Sequence, residues 1–352
     1  MADYEMERRP GGFRRFIAGL MSAFVTLAVL LVLAGGFALW VYKGPGPKAR
    51  QGQTTTVILR RGGGVSEMAA SLARGGVIRA PQFFLAAAEM SGASRRLKAG
   101  EYNFRSGASL AEVLRKIRSG DIVHHRITIP EGVPSVQVAA ILNGSDVLTG
   151  QIPTPPEGSI LPETYEVVRG DARASVLQKM MDARDRMLAQ LWGQRKPGLP
   201  FTTPEQAVTL ASIVEKETSV ASERPRVAAV YINRLKINMK LQADPTVIYG
   251  ITGGTPLGRG IRASELAAAT PYNTYANFGL PPGPIGNPGR AALAAVMDPP
   301  DTDELYFVAN GTGGHSFSKS YGDQSKNVAQ WREIEKSKAA PKGAPVALKG
   351  KR

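Results

Sequence analysis

The sequence predicts an α+β fold carried on a single N-terminal transmembrane helix. Three observations lead there: an uncharged run from Phe16 to Tyr42, short segments in which a strand, a glycine turn and a helix follow one another, and a long C-terminal stretch where helix, turn and loop signals alternate.

The uncharged run exceeds the roughly 20 apolar residues that cross a bilayer. A cleaved signal peptide is the competing reading, but the run is long for one and no A-x-A site follows it. Arg8, Arg9, Arg14 and Arg15 precede the span, whereas Lys43, Lys48 and Arg50 follow it. That balance places residues 1–15 as a cytoplasmic tail and the remainder outside the cytoplasm, with Trp40 and Tyr42 at the far interface. Residues 43–53 read as a flexible linker, because glycine, proline and polar side chains bury little.

A globular part begins at Thr54. The segment TTTVILRRGGGVSEMAASLARGGVI reads as strand, glycine turn and a helix stopped by Gly75 and Gly76. Ser109 and Glu112 form a capping box ahead of an amphipathic helix. From Arg126, RITIPEGVPSVQVAAILNG repeats the strand–turn–helix plan loosely. Residues 54–157 are therefore taken as an N-terminal subdomain with its connecting region, 158–335 as a second, mixed α+β domain, and 336–352 as a disordered tail. That tail holds six basic residues and no acid.

The formal charge of +15 favours an anionic partner: nucleic acid, acidic lipid or a carboxylate-bearing polymer. No basic cluster is interleaved with stacking aromatics, so nucleic acid is not expected. The absence of cysteine removes disulfides, thiol catalysis and thiolate metal sites. Three histidines, two of them adjacent, are too few for a histidine zinc site, so no metal or cofactor is expected. The glycine-rich segments fit neither phosphate-loop nor dinucleotide patterns, and there is no G-x-S-x-G elbow.

The segment TPEQAVTLASIVEKETSV carries the first candidate for chemistry. Thr203 as N-cap, Pro204 at the first helical position and Gln206 closing a capping box fix the start of a helix. At about 100° per residue, Ala207, Leu210, Ala211, Ile213 and Val214 share one stripe, and Glu217 falls inside it. A desolvated carboxyl has a raised pKa, which suits a general acid at neutral pH. A buried structural ion pair would fit the same position equally well. Glu215 falls at the stripe's edge toward the polar side, as a supporting residue. On the next helix Arg234 shares a face with Val227, Val230 and Tyr231, where it could hold a carboxylate or pack its stem on the core.

Several blocks occur in order along the chain: ILPETYEV, LASIVEKETSVASERPRVAAVYINRL, MKLQADPTVIYGI, PYNTYANFGLPPGPIGNPG and YFVANGTGGHSFS. With the N-terminal anchor, they resemble the endolytic murein transglycosylases of the MltG, or YceG-like, family over roughly residues 54–332. The small strand-and-helix subdomain resembles a LysM-like glycan-binding module, although it would serve equally as a platform spacing the catalytic part from the membrane. The resemblance implies that the second glutamate of the EKE triplet, Glu217, is the catalytic acid/base. The expected substrate is the MurNAc-β-1,4-GlcNAc bond of peptidoglycan glycan strands, cut to leave 1,6-anhydro ends, and wall synthases are implied as partners.

Gln242 and Asp244 in the LQADP block are candidate substrate contacts, as are Tyr272, Asn273, Thr274 and Tyr275 in the loop block, which joins rings to hydrogen-bonding tips. His315, beside paired glycines, is a further candidate to line the cleft. Each has a structural alternative in a turn, a cap or the core. Two other functions remain open at this point. A lysozyme-type hydrolase would need a second carboxylate, for which Asp244 is available. A glycan-binding scaffold would not depend on Glu217 for its function.

Overall fold

The computed structural model describes residues 12–60 and 62–339. They form two compact units that meet between His124 and His125.

In the first unit, helix α1 spans Gly12–Lys43, and its apolar side chains from Phe16 to Trp40 are exposed. It is long and apolar enough to cross a membrane. Strand β1 (Thr54–Leu59) pairs antiparallel with β2 (Gly100–Arg105), setting Val57 opposite Tyr102. Helices α2 (Val65–Arg74) and α3 (Pro81–Met90) lie between the strands in sequence, and α4 (Leu110–Ser119) follows them. The expected strand periodicity holds, since Val57 and Leu59 point inward and join Leu72, Phe84, Tyr102 and Ile117 in one core. The Ser109–Glu112 capping box is formed with both reciprocal bonds. Gly120 closes α4 at φ 76°, a left-handed conformation that glycine adopts without steric cost.

The linker departs from expectation. Residues 44–53 hold no helix or strand, but they are tied to the turn before α4: Gly46 donates to the Gly107 carbonyl at 3.1 Å and Ala49 to Ser106 Oγ at 2.9 Å. The backbone of a Gly/Pro segment retains its polar groups, and the turn offers them partners.

In the second unit, β3 (His124–Thr128) pairs with β4 (Thr164–Val168), and α5 (Ser135–Gly144) and α6 (Arg173–Gly193) pack beside them. Ile129, Val138, Leu142, Ile160 and Met180 make their core. The boundary expected after residue 157 is thus misplaced. The second strand–turn–helix segment, β3 followed by α5, shares its sheet and core with residues 160–181, so it belongs to the C-terminal unit.

The rest of this unit is built around helix α7 (Pro204–Glu217), packed by α8 (Arg224–Lys236) and α11 (Arg290–Met297). Short helices α9 (Asp244–Thr252) and α10 (Ala263–Ala267), a hairpin of β5 (Tyr306–Ala309) and β6 (His315–Ser318), and α12 (Tyr321–Ala339) complete it. The tail expected from 336 does not hold for residues 336–339, which belong to α12. Lys336 pairs with Glu333 at 2.8 Å one turn back, and Ser337 donates to the Ile334 carbonyl. The expected tail over 340–352, and residues 1–11 of the expected cytoplasmic segment, lie outside the described residues.

Candidate active site

Helix α7 starts as the sequence dictates. Gln206 N donates to Thr203 Oγ1 at 3.3 Å, and Thr203 N donates back to Gln206 Oε1 at 3.2 Å. The stripe Ala207, Leu210, Ala211, Ile213 and Val214 is buried. Burial then extends right round the helix between 207 and 214, because helices pack on several sides. Ser212 is accommodated there by donating to the Thr209 carbonyl and accepting from Ile285 N.

Glu217 is the last residue of α7. Its side chain is half-buried, and Tyr231 Oη on α8 donates to its Oε1 at 2.8 Å. Desolvation by the surrounding protein raises its pKa, and the negative charge of Asp244 adds to the effect. The Tyr231 bond and the positive charge of Arg234 oppose it, and the balance is a value of about 7. The C-terminal end of the helix dipole likewise disfavours a carboxylate at that place. The group is therefore poised between acid and base at neutral pH. Burial and the neighbouring Glu217 charge push the Tyr231 phenol well above its ordinary value, so it remains a donor.

The helix-to-loop junction after α8 supplies the neighbours. Arg234 is buried and donates from Nε to the Leu305 carbonyl and from Nη1 to the Leu241 carbonyl, each at 2.6 Å. It is thus a buried positive charge locking two loops, and those bonds leave it poorly placed to grip a substrate carboxylate as expected. Asp244 opens α9 and is exposed, and Tyr275 Oη donates to its Oδ1 at 2.6 Å. Gln242 is exposed at φ 51°, a strained conformation for a residue with a Cβ. Its N–H donates to the Thr274 carbonyl at 3.2 Å, so the 242–244 segment is pinned to the loop containing Tyr275.

Two other expected contacts are structural. Asn273 is fully buried: its Nδ2 donates to the carbonyls of Glu265, Leu266 and Ala268, and its Oδ1 accepts from Tyr275 N. Thr274 Oγ1 accepts from Ala243 N and bonds Thr246 Oγ1, both at 2.9 Å. The loop needs these side chains to satisfy its own backbone, so neither is free to meet a ligand. Tyr272 packs on Tyr249, ring centroids 4.9 Å apart, at the margin of the core.

His315 on β6 is held by Glu223, whose Oε2 lies 2.7 Å from Nδ1 and whose Oε1 accepts the His315 N–H at 2.9 Å. Its ring meets Phe307 edge-on at 5.4 Å, and Phe307 meets Tyr231 in the same way at 5.8 Å. A chain of rings therefore joins His315 to the phenol that contacts Glu217.

Glu215 is not on a polar face: its side chain is 4% exposed and forms the buried ion pair that the sequence allowed for Glu217. Arg224 Nη2 donates to Oε1 at 2.9 Å, and Gly289 N donates to Oε2 at 2.8 Å. Helix periodicity could not foresee this, because the loop 284–289 covers that side of α7. Its Gly286 passes so close to Gly132 that a Cβ would lie 2.6 Å from the Gly132 carbonyl oxygen.

Tyr231 and Glu223 were missed as site residues. For Tyr231 a signal existed: a tyrosine within an apolar helix face needs a partner for its hydroxyl when buried. Glu223 lies in a single 3₁₀ turn, Ala221–Glu223, and no sequence pattern links it to His315. Among the described residues no group of histidine, aspartate and glutamate could hold a metal ion.

A family model described as the YceG-like family matches residues 57–330. The endolytic murein transglycosylase of Bacillus subtilis is 29% identical over 313 residues, covering 80% of this chain and 86% of that protein. The protein of the same description from Streptococcus pneumoniae serotype 2 is 28% identical over 324 residues; 78% of this chain aligns with 58% of its length. A crystal structure of a yceG-like protein from Listeria monocytogenes is 28% identical, with a TM-score of 0.48, covering 78% of this chain and 99% of that one.

Proposed function

Because the chain belongs to the YceG-like family, we propose that it is an endolytic murein transglycosylase, a lytic enzyme whose acid/base is Glu217. The observation that carries this reading is the single half-buried carboxyl at the end of α7, held by Tyr231 and titrating near neutrality.

Neutral Glu217 donates its proton to the glycosidic oxygen between MurNAc and GlcNAc as the C1–O bond breaks. The resulting carboxylate then takes the proton of the muramyl 6-hydroxyl, whose oxygen closes on C1. The acid is regenerated, no water is consumed and a 1,6-anhydro end is left. One group poised near pH 7 serves both steps, whereas hydrolysis normally needs two carboxylates. Asp244, Tyr275 and Gln242 are the groups proposed to face the sugar, because they are at least partly accessible and are fixed by the same loop contacts. His315 is proposed to line the cleft farther out, held by Glu223. Arg234 contributes its buried charge.

The apolar length of α1 supports a single membrane span in the plasma membrane, with the N-terminus cytoplasmic and the residues after α1 outside. The β1–α2–α3–β2 module is proposed, from its LysM-like resemblance, to hold the glycan strand. Wall synthases are proposed as partners from the same resemblance, with cutting of the nascent strand ending its elongation.

The exposed Asp244 favours one alternative, a lysozyme-type hydrolase in which it activates water. Incubating the full chain in detergent with purified uncrosslinked glycan strands separates the two readings by product mass. Ends lighter by one water and absent with Glu217→Gln support transglycosylation. Hydrated ends would replace it with hydrolysis, and no cleavage by folded protein would leave a binding scaffold.

A further inference from the structure

We propose that the first unit carries a binding site for a membrane phospholipid between the end of α1 and helix α3; this rests on the reading of α1 as a membrane span. Three adjoining cavities make up the site. The first, a groove of about 480 Å³, is walled by α1 residues including Gly35, Phe37 and Leu39 and by Phe83, Ala86 and Met90 of α3. The second, about 200 Å³, shares Phe37, Val41, Phe83 and Leu110 with the first and continues past Trp40 to Pro45 and Arg79. The third, about 530 Å³, shares Pro45, Gly46, Pro47 and Arg79 with the second and adds Lys48.

The order of polarity along these cavities is the order within a lipid. Their apolar end is formed by α1 residues that lie within the uncharged span, so hydrocarbon is what surrounds it. Met90, 89% exposed, and Phe83, 38% exposed, are large apolar groups left beside that wall. The opposite end lies beyond Lys43, where the span has ended, and presents two exposed cations. Arg79 is fixed there, with its guanidinium 5.5 Å from the Trp40 ring centroid and Nη2 donating to the Pro45 carbonyl at 3.3 Å. Trp40 stands between the two ends, as tryptophan does at membrane interfaces. An acyl chain occupies the groove and the phosphate meets Arg79 and Lys48, which favours lipids of net negative charge. The site would hold the module against the leaflet on its side of the bilayer.

The chain contains no cysteine, so single cysteines introduced into the full-length protein at Phe83 and, separately, at Leu30 accept one fluorescent label each. The labelled proteins are reconstituted into phosphatidylcholine–phosphatidylglycerol vesicles with bromine on the acyl chains. Quenching at Phe83 comparable to that at Leu30 is expected, and Lys48→Ala with Arg79→Ala should lower the Phe83 quenching about twofold while leaving Leu30 unchanged. Quenching at Leu30 without quenching at Phe83 overturns the lipid site and leaves the span standing. Phe83 quenching that is indifferent to the two basic residues overturns the phosphate assignment. Loss of quenching at both positions overturns the span and the site with it.

Discussion

At the scale of the residue, the site depends on how Glu217 and Tyr231 share a proton donor and an acceptor. Glu217→Gln removes the acid/base, and formation of 1,6-anhydro ends should fall by roughly 10²–10⁴-fold at unchanged strand binding. Tyr231→Phe deletes a bond that favours the carboxylate, so the Glu217 pKa should rise above about 7. The alkaline limb of the pH–rate profile then moves to higher pH, an outcome a purely structural phenol would not produce. The same shift has a signature in stability. The folded pKa lies above the ordinary carboxyl value of 4.5, so the native state binds the extra proton. Stability is fully present below that ordinary value and is lost as pH rises toward and through about 7. Glu217→Gln escapes this loss. Denaturant unfolding should show it gaining of the order of 1–3 kcal/mol on the wild type between about pH 4.5 and pH 8.

At the scale of the element, α7 is an N-capped helix whose last turn carries two carboxyls with opposite fates. Glu217 faces the accessible side. Glu215 is clamped by Arg224 and the Gly289 N–H. Glu215→Ala leaves Arg224 with only the longer 3.5 Å contact to Glu131 and orphans the Gly289 amide, and should cost about 2–3 kcal/mol in thermal or chemical unfolding. Thr203→Ala at the other end removes only the cap and should cost about 1 kcal/mol. Helix α7 was legible in detail, since its capping box, proline and apolar stripe are all local signals. The loop 270–289 was legible as a punctuated loop but not residue by residue. Asn273 and Thr274 carry the same polar groups as a sugar-binding pair, and only the turn they close shows that those groups are already used.

At the scale of the whole molecule, the unit boundary between His124 and His125 is itself testable. A fragment beginning at 125 keeps the pairing of β3 with β4 and the core of Val138, Leu142 and Met180. It should unfold cooperatively, whereas one beginning at 158 should lose that transition, as circular dichroism during heating would show. The sequence by itself determined the long apolar N-terminal helix, the first strand–turn–helix segment, the start of α7 and the place of Glu217 on its apolar stripe. These rest on composition, caps and periodicity, which act within one or two turns of the chain. Only the tertiary structure decided that Tyr231 holds Glu217, that Glu215 is an ion pair, that Glu223 secures His315 and that residues 125–157 join the C-terminal unit. Those pairings span from 9 residues for Arg224 and Glu215 to 92 for Glu223 and His315. Burial and hydrogen-bond satisfaction across such separations are set by which elements pack together, and no local pattern records that.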